Sequence, residues 1–595
     1  MCGFAGLVQR NPSPEVSERF CALALKTLAR RGPDDARTLR RGAVDLVHTR
    51  LSIIDAEGGL QPMEDEAGII VFNGEIYNHE ELRQPNTLYA SRSDTEVLLK
   101  GLNTQGPDFL DRADGMFAFA YLNKAQGKLY VARDRYGIKP AYVLKSADAF
   151  AFGSTLQALM PFSDKRIDGQ ALVEYYTSRA AHAPRTMFQD IREIPPGCMA
   201  VFDLRAFTVE MKRWVQDRDI PVSRASEADL LAELDSVLHA SVKAHLVSDV
   251  PVASLLSGGI DSGLITAIAA RYAPDLHCFS AGFQDKRFDE SPYAQAVARR
   301  YGLRHSVKFM NDETVFGLLD SWPSVMDDAN AEPASVLKYV VAQFARDSGY
   351  KVVLAGEGAD EFFGGYNQYW RFRLAKRLSV LGAHVPMLAG WAEKAAGPRS
   401  RIAHFLRQAS GRQGFPGTSM PFEPHLVGQM FSGVNTGEYG VDTLRQALFL
   451  DQRRRLPDDM LTAADRATMH ASIEARVPFV TRSVGDFAAS LGDDMLLRGR
   501  KQKYLLRQLA LRYLPAECVE RRKVGFDMPL GRWFRGRLRD VVYDTLANTW
   551  QRDFLRPGAM ERIVDLHMSG KADYADKIWA FVVLDRNVRA LRAIS

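Results

Sequence analysis

The sequence is poor in cysteine, carries little net charge and has no long apolar run. Five cysteines are spread over 595 residues and none forms a C-x-x-C pair, which argues against a zinc site or a disulfide framework and favours a reducing compartment. The net charge of +5 is too small for this length to indicate a nucleic-acid or membrane partner. A nucleic-acid or membrane partner is therefore not expected.

Signals for membranes, export and P-loop chemistry are also missing. The most apolar internal stretch, Leu378–Ala395, is interrupted by His384 and Pro386, so it predicts no membrane span. The apolar residues at the N-terminus are too few, and lack the basic start, for a signal peptide. The Walker A pattern Gly-x-x-x-x-Gly-Lys-Ser/Thr is absent, which argues against γ-phosphoryl transfer. A cytoplasmic protein is expected.

The length predicts two or more domains. Short apolar or alternating runs broken by Gly, Asn and Asp fill the first two hundred residues and predict a β-rich layered domain with helices at Ser17–Ala29 and Asp94–Leu102. The polar stretch Trp214–Glu227, which contains Pro221, is the predicted boundary, so the domains span residues 1–213 and 228–595. Examples of the predicted strands are Ala43–Val47, Gly68–Phe72, Met116–Leu122, Lys128–Ala132 and Ala141–Leu144.

The second domain has a different pattern. Strand-like runs at Val250–Leu256, His277–Phe283 and Lys351–Ala355 alternate with long helical patterns, which is typical of a doubly wound parallel α/β sheet. From about Trp370 onward the pattern is mostly helical.

Cys2 is a candidate nucleophile because of its position. Removal of Met1 would leave an α-amine on the residue that carries the thiol, and an α-amine titrates near pH 8, at roughly 7.7–8.0, so it could take the thiol proton. A buried structural cysteine is the alternative.

Polar residues elsewhere in the first domain could complete a site for a free amino acid. Asn73 and Gly74 could donate to a tetrahedral oxyanion, and the Arg50 fork could hold an α-carboxylate. Asp94 could accept from an α-ammonium. Taken singly, these residues equally fit a turn, a surface ion pair and a helix N-cap.

Several motifs in this half resemble the glutaminase domain of class II glutamine amidotransferases. The resemblance implies an N-terminal-nucleophile αββα sandwich in which Cys2 is the nucleophile and Asn73 and Gly74 form the oxyanion hole. It also implies that glutamine binds at Arg50, Leu51, Ser52, Ile53, Ile54, Asn73, Gly74, Glu75 and Asp94. The motifs are Met-Cys-Gly-Phe-Ala-Gly at the N-terminus, Arg31-Gly32-Pro33-Asp34, Arg50–Ile53, Phe72–Asn78, Ser93–Glu96, Gly115–Ala120 and Arg133–Pro140.

The hexapeptide Ser257-Gly258-Gly259-Ile260-Asp261-Ser262 follows a predicted strand and opens a predicted helix. Its glycines allow close backbone approach to an anion, its serines donate, and the helix N-terminus favours negative charge. Without a Walker lysine, the motif indicates AMP transfer with release of pyrophosphate. A plain strand-to-helix turn is the alternative.

Gly356-Glu357-Gly358-Ala359-Asp360-Glu361 follows another predicted strand. Strand ends of a doubly wound sheet face one crevice, so Asp261 and Asp360 could share a Mg²⁺ ion that neutralises the leaving pyrophosphate. Helix capping could explain one of these aspartates but not both.

This half resembles asparagine synthetases and related ATP-pyrophosphatases. The resemblance implies an adenosine pocket at Leu256, Ala281, Ala355 and Gly356, with Glu357 facing the acyl-adenylate and Lys523 stabilising charge on the α-phosphate. Taken alone, Arg521–Lys523 and Arg453–Arg455 look like solvated basic faces. The further motifs are Phe288–Ser291, Leu456–Leu461, Asp465–Met469, Glu474–Phe479 and Arg522–Phe526.

The sequence departs from the usual family pattern at three places. Arg30 stands where a His usually precedes Arg-Gly-Pro-Asp, Thr155 replaces a common Glu, and Asp327-Asp328-Ala329 replaces a common Asp-Glu-Pro. The third departure lies in the synthetase half and leaves the carboxylate acceptor open.

The expected activity is amidation of a carboxylate with ammonia from glutamine and activation by ATP, with aspartate as the leading acceptor. One alternative keeps this chemistry on a sugar uronic acid or a peptide. Another is an RNA-modifying enzyme that uses the basic stretch Arg498–Arg507, and a third is a non-catalytic regulator. Relatives are often homodimers, and the resemblance extends that expectation to this chain.

Overall fold

In a computed structural model of the chain, the described residues are 2–216, 218–379, 387, 391, 401–410, 414, 415, 417–431, 440–521 and 528–594. Lys523 and the motif Arg522–Phe526 lie outside them, as does most of Leu378–Ala395. Among the described residues, no helix combines the length and the apolarity needed to cross a membrane.

The first two hundred residues form two antiparallel sheets of six strands each. Their orders are β10-β8-β9-β1-β3-β2 and β12-β11-β7-β6-β5-β4. The strands predicted from apolar runs are confirmed, with bounds shifted by a few residues. The strands are β1 Gly3–Gln9, β2 Asp35–Arg41, β3 Val44–Arg50, β4 Met63–Glu64, β5 Gly68–Ile76, β6 Gly115–Asn123, β7 Lys128–Arg133, β8 Tyr142–Lys145, β9 Ala149–Gly153, β10 Ile191–Glu193, β11 Cys198–Asp203 and β12 Thr208–Arg213.

The two sheets stack face to face between two layers of helices. Phe4 and Val8 of β1 belong to the same buried cluster as Ile69 and Val71 of β5, which fills the space between the sheets. The outer face of the first sheet packs on the helix Pro14–Leu28, and the outer face of the second packs on Asp94–Gln105. The αββα sandwich is confirmed, because both faces of each sheet bury apolar side chains.

The second half contains one parallel sheet of order β15-β14-β13-β16-β17. Its strands are β13 Val252–Leu255, β14 His277–Phe283, β15 Arg304–Met310, β16 Val352–Leu354 and β17 Glu474–Arg476. The order reverses between β13 and β16, and ligands of doubly wound sheets bind at such a switch point. The loops that follow these two strands are the two glycine-rich motifs.

Helices cover both faces of this sheet and make up most of the chain beyond it, as predicted. Short helices lie between the longer ones along the chain. The α-helices are Pro14–Leu28, His79–Leu82, Asp94–Gln105, Gly169–Ser178, Glu227–His245, Ile260–Ala269, Ser291–Arg300, Asp312–Leu318, Trp322–Val325, Ala334–Asp347, Ala359–Phe363, Asn367–Ser379, Arg401–Ala409, Pro424–Met430, Leu444–Arg453, Thr462–His470, Arg482–Ser490, Asp493–Leu496, Tyr504–Tyr513, Ala516–Glu520, Leu530–Arg535, Arg539–Asn548, Ala559–Met568 and Ala575–Arg592; Gly106–Arg112, Met160–Phe162 and Trp550–Asp553 are 3₁₀ turns and Arg455–Leu461 is a π-helix.

Buried ion pairs join the two halves. Asp465 contacts Arg31 at 2.9 Å and Lys139 at 3.2 Å, and all three side chains are almost fully buried. Arg476 on β17 reaches Glu75 on β5 at 3.4 Å. Because removing one partner of such a pair leaves a buried charge uncompensated, these contacts fix the two halves in one arrangement.

Candidate active sites

Cys2 lies next to Asn73 at the start of β1. Its backbone nitrogen donates to Asn73 Oδ1 at 3.1 Å, and this leaves Asn73 Nδ2 as a buried donor without a hydrogen-bond partner among the described residues. A buried N–H that has no partner at rest can donate to an oxyanion that forms during reaction.

Asn73 and Gly74 lie inside β5, which continues to Ile76, and do not form a turn after it. A side chain on Gly74 would collide with the Met116 carbonyl oxygen of β6, 2.1 Å from an added Cβ. Glycine is therefore required here by the close approach of the neighbouring strand.

The Cys2 thiol is buried, and burial raises its pKa above the ordinary value. The Leu51 N–H, which donates to the thiol, and the Arg50 charge act in the opposite direction. A thiol that is neutral at rest must lose its proton to a nearby base during reaction.

Arg50 is buried and holds the loop that follows it. Its guanidinium donates to the carbonyl oxygens of Ala56 at 2.6 Å, Ile54 at 3.1 Å and Asp55 at 2.7 Å. Arg50 therefore does not form the surface ion pair that its place in the sequence, taken alone, would also fit. Arg50 instead fixes the Leu51–Ile54 segment, part of which borders the second domain: the Asp249 N–H donates to the Ile53 carbonyl at 3.1 Å.

Glu75 and Asp94 are both buried near the end of β5. Asp94 is not the helix N-cap, which is Ser93; its Oδ2 accepts from the Ile76 N–H at 3.0 Å. Burial, followed by the charge of Glu474, raises the pKa of Glu75 well above its ordinary value. The structure thus brings Cys2, Asn73, Gly74, Glu75 and Asp94 to one end of β1 and β5.

The loop Ser257–Ser262 connects β13 to the helix Ile260–Ala269. The Ser262 hydroxyl accepts from the Ser257 N–H at 3.1 Å and lies 2.9 Å from the Ser257 hydroxyl. Gly258 has a φ of +74°, and an added Cβ would lie 2.7 Å from the Ala294 nitrogen, so both its backbone and its packing favour glycine. An added Cβ on Gly356 would lie 2.7 Å from the Ser262 nitrogen, which places the two glycine-rich loops in contact.

Asp261 and Asp360 meet at a shared cation. Lys503 Nζ lies 2.7 Å from a carboxylate oxygen of each aspartate. Two carboxylates that converge on one positive charge can also supply ligands to Mg²⁺, which prefers a few carboxylates together with phosphate oxygens. No group of three or more His, Cys, Asp or Glu that could hold a metal occurs in the described ranges, so substrate oxygens would have to complete the site.

The two loops line a cavity of about 810 Å³. Nearly all the residues predicted to bind ATP face it, together with Glu357 and Asp360; Gly258 is not among its lining residues. The predicted residues in the wall are Leu256, Ser257, Gly259, Asp261, Ser262, Ala281, Ala355 and Gly356.

The wall beyond the pyrophosphate loop carries charges of both signs. Glu357 pairs with the half-buried Lys338 at 2.9 Å. Arg455 lies 3.9 Å from the centre of the Tyr366 ring, between Glu361 at 3.9 Å and Asp459 at 4.0 Å. Burial raises the pKa of Glu361 to about 7 and of Asp459 to about 6. We call the cavity-lining charged residues Lys338, Glu357, Glu361 and Arg455, together with Arg179 and Glu332, the charged wall. Asp459 is fully buried and is not among the lining residues.

Sequence reasoning missed Lys503 and Arg455. Taken alone, the Arg453–Arg455 run looks like a solvated basic face, but the Arg455 side chain is only 11% exposed. Lys503 belongs to the stretch Arg498–Arg507, where it points inward to Asp261 and Asp360, whereas Arg498 pairs with Glu227. The sequence shows only a basic run immediately before a helix. Such a run does not indicate which of its side chains points inward and which points to solvent.

The departure at Asp327-Asp328 is not in the cavity wall. Asp327 accepts from the Leu156 N–H at 3.0 Å and pairs with Arg466. Asp328 accepts from the Tyr142 hydroxyl at 3.3 Å. Both aspartates therefore lie in the interface between the two halves.

Asp328→Asn is expected to stabilise the protein at high pH. Burial, followed by the charge of Glu193, raises the pKa of Asp328 to about 7, from an ordinary value of about 3.9. Protonated Asp328 contributes its full stabilisation of the folded state below the ordinary pKa, and this contribution is lost as the pH rises through 7. Asparagine stays neutral at every pH. The advantage of the variant in unfolding free energy should grow by about 1–3 kcal/mol from pH 5 to pH 8.

Denaturant unfolding at both pH values measures this difference. The exposed Asp540 supplies the matched control, Asp540→Asn, which should show no such pH dependence. An equal advantage of Asp328→Asn at pH 5 and pH 8 would contradict the titration of Asp328.

Two family models match the chain: a glutamine amidotransferase domain over residues 1–215 and asparagine synthase over residues 233–590. Glutamine-hydrolysing asparagine synthetase 1 of Bacillus subtilis is 31% identical, and the match covers 98% of this chain and 96% of that protein. Asparagine synthetase 3 of the same organism is 29% identical over 88% of this chain and 86% of its own length. Asparagine synthetase B of Escherichia coli is 27% identical over 92% and 86%.

Proposed function

Because this chain belongs to the asparagine synthetase family of glutamine-hydrolysing, ATP-dependent ligases, we propose that it converts L-aspartate, L-glutamine, ATP and water to L-asparagine, L-glutamate, AMP and diphosphate. The observation that carries the proposal is the pairing of a Cys2–Asn73 site in one half with a charged cavity at the sheet switch point of the other.

In the first half-reaction, the Cys2 sulfur attacks the amide carbon of glutamine. The thiol proton passes to the Cys2 α-amine that removal of Met1 would expose, and then to the departing ammonia. The unpaired Asn73 Nδ2 and the Gly74 N–H would stabilise the oxyanion. Water then hydrolyses the thioester to glutamate and regenerates the thiol.

In the second half-reaction, an oxygen of the acceptor carboxylate attacks the α-phosphorus of ATP, and pyrophosphate leaves. The Ser257–Ser262 loop and the N-terminus of the helix Ile260–Ala269 would hold the phosphates. Lys503 would offset their negative charge at the junction of the two loops. Lys523 is proposed for the α-phosphate by resemblance to the family.

Asp261 and Asp360 fit a Mg²⁺ site because their oxygens converge on one point, the Lys503 ammonium. When bound there, the ion would neutralise charge on the pyrophosphate.

Ammonia then attacks the acyl-adenylate carbonyl, loses a proton and displaces AMP. Glu357 would accept that proton or orient the ammonia, since its carboxylate faces the cavity and is held by Lys338. We propose that the ammonia passes through the interior, across the interface at which Glu75 contacts Arg476.

The charged wall supports an amino acid as acceptor. Aspartate carries one ammonium and a second carboxylate besides the one that reacts, and a wall with Glu332 and Glu361 beside Arg179 and Arg455 offers partners for both. A uronic acid offers hydroxyl groups and no ammonium, so it would bring no positive charge to the cavity-lining Glu332 and Glu361. Sugar uronic acids remain the second candidate acceptor because the nucleotide half of the cavity does not distinguish them.

An acceptor screen tests the proposal. Pyrophosphate release is measured with ATP, Mg²⁺ and either glutamine or ammonium chloride, first with L-aspartate and then with uronic acid nucleotides, and the amidated product is identified by mass spectrometry. Stoichiometric asparagine, AMP and pyrophosphate are expected with aspartate. Turnover with a uronic acid and none with aspartate would replace the proposed acceptor.

A further inference from the structure

Arg179 belongs to the N-terminal half but lies in the cavity of the synthetase half. It directly follows the helix Gly169–Ser178, and its side chain lines the cavity together with Glu332 and Lys338. None of the family motifs named in the sequence includes Arg179. The cavity wall is therefore built from both halves, and the synthetase site is incomplete without the amidotransferase domain.

The backbone holds Arg179 firmly at this position. Its φ is +73°, in the left-handed region that a non-glycine residue adopts at an energetic cost. The Arg179 carbonyl accepts from the Ala331 N–H at 2.9 Å, and Ala180 forms an isolated β-bridge with Asn330. The chain thus pairs with the segment that leads into Glu332, and this pairing directs the arginine across the domain interface.

The guanidinium retains donors for a ligand. One of its terminal nitrogens pairs with Glu332, whose other oxygen accepts from the Ala334 N–H at 3.2 Å. The guanidinium has no further hydrogen-bond partner among the residues that the structure describes, and its side chain is 21% exposed towards the cavity. A planar fork with free N–H groups suits a carboxylate.

Arg455, the other arginine of the charged wall, is less suited to this role. It lies between two carboxylates, Glu361 and Asp459, and against the Tyr366 ring. Its charge is needed to balance these neighbours, whereas Arg179 forms one ion pair, with Glu332, and lines the cavity, although the charges of Asp459 and Asp576 also act on it.

We propose that Arg179 is a specificity-determining residue that binds the non-reacting carboxylate of the acceptor, so that the amidotransferase domain takes part in choosing what the synthetase domain activates. The inference rests on the proposed function in one respect: it takes the acceptor to carry a second carboxylate. For aspartate, this is the α-carboxylate.

Arg179→Ala and Arg179→Lys test the inference. Pyrophosphate release is measured with ammonium chloride as nitrogen donor, so that glutamine hydrolysis does not enter the rate. The KM for aspartate should rise about 10- to 100-fold in Arg179→Ala, the scale of one lost charge-assisted contact, and less in Arg179→Lys. The KM for ATP and the rate of glutamine hydrolysis should each change by less than about twofold.

A comparison of acceptors separates recognition from a structural role. β-Alanine is aspartate without the α-carboxylate, so the preference of the parent for aspartate over β-alanine in kcat/KM should fall about 10- to 100-fold in Arg179→Ala. A structural defect would lower both rates alike and leave the ratio unchanged, and that result would overturn the inference. Arg185→Ala is the matched control, since Arg185 follows on the same segment, pairs with Glu174 and does not line the cavity.

The outcome does not depend on aspartate being the acceptor. If the parent enzyme fails with aspartate, the proposed function fails, and the ratio is measured on the acceptor from the screen and its analogue without the second carboxylate. An acceptor that has no second carboxylate, or a ratio that Arg179→Ala leaves unchanged, refutes the role of Arg179.

Discussion

Cys2→Ala is expected to abolish synthesis from glutamine and to leave synthesis from ammonia near the parent rate. Without the sulfur no thioester can form, and loss of a nucleophile commonly lowers kcat by about 10⁴-fold or more. The cavity of the synthetase half lies at a different sheet and keeps all its lining residues. Pyrophosphate release and asparagine formation, measured with each nitrogen donor, check both halves of this expectation.

Cys21→Ala is the control, because it makes the same chemical change on the helix Pro14–Leu28, in the same domain. It should leave both nitrogen donors equally effective. Asn73→Ala should lower glutamine hydrolysis by about 10²–10³-fold, the usual effect of one oxyanion donor. Glutamine consumption by Cys2→Ala at the parent rate would show that another residue is the nucleophile.

The sheet architecture was predictable because burial imposes strong patterns. Runs such as Met116–Leu122 and His277–Phe283 are apolar because their strands are covered on both faces, and the structure confirms them with bounds shifted by at most a few residues. In the parallel sheet, the strands β15 and β17 were not predicted. β15 is a polar edge strand with exposed residues, and β17 has three residues, two of them charged, so neither carries the apolar signal of a strand.

The residues of the candidate sites were predictable to different degrees. Glycine-rich loops and Cys2 stand in local motifs, so the sequence indicates them directly. Lys503, Arg455 and Arg179 enter the cavity only through long-range packing, such as the bridge between Ala180 and Asn330. A single sequence does not reveal which member of a basic run faces inward, because the charges that attract it lie far away along the chain.

The departure from the family pattern at Asp327 and Asp328 illustrates the same limit in the opposite direction. Asp327 and Asp328 depart from a family motif in the synthetase half, and a motif position by itself suggested a bearing on the acceptor. Their contacts with Leu156 and Tyr142 place them in the domain interface. The variation there belongs to how the halves fit together.

Asp261→Asn is expected to lower pyrophosphate release from both nitrogen donors by about 10²-fold or more, since the role proposed for Asp261, holding Mg²⁺ beside the leaving pyrophosphate, precedes the entry of nitrogen. Asparagine keeps the shape of the side chain, so the loop Ser257–Ser262 should stay in place. Glutamine hydrolysis in the absence of ATP should remain at the parent rate, which shows that the variant is folded. The exposed Asp275 provides the matched control, Asp275→Asn.

The position of Lys503 between Asp261 and Asp360 makes the dependence on Mg²⁺ the decisive measurement. If the two aspartates bind the metal, Asp261→Asn should raise the Mg²⁺ concentration for half-maximal activity about tenfold or more, because a ligand of a hard cation has lost its charge. Lys503→Met should instead lower the rate and leave both carboxylates available to the ion, so that its Mg²⁺ requirement does not rise. If Asp261→Asn lowers the rate at an unchanged Mg²⁺ requirement, Asp261 serves to hold Lys503, and that ammonium is the charge that the pyrophosphate meets.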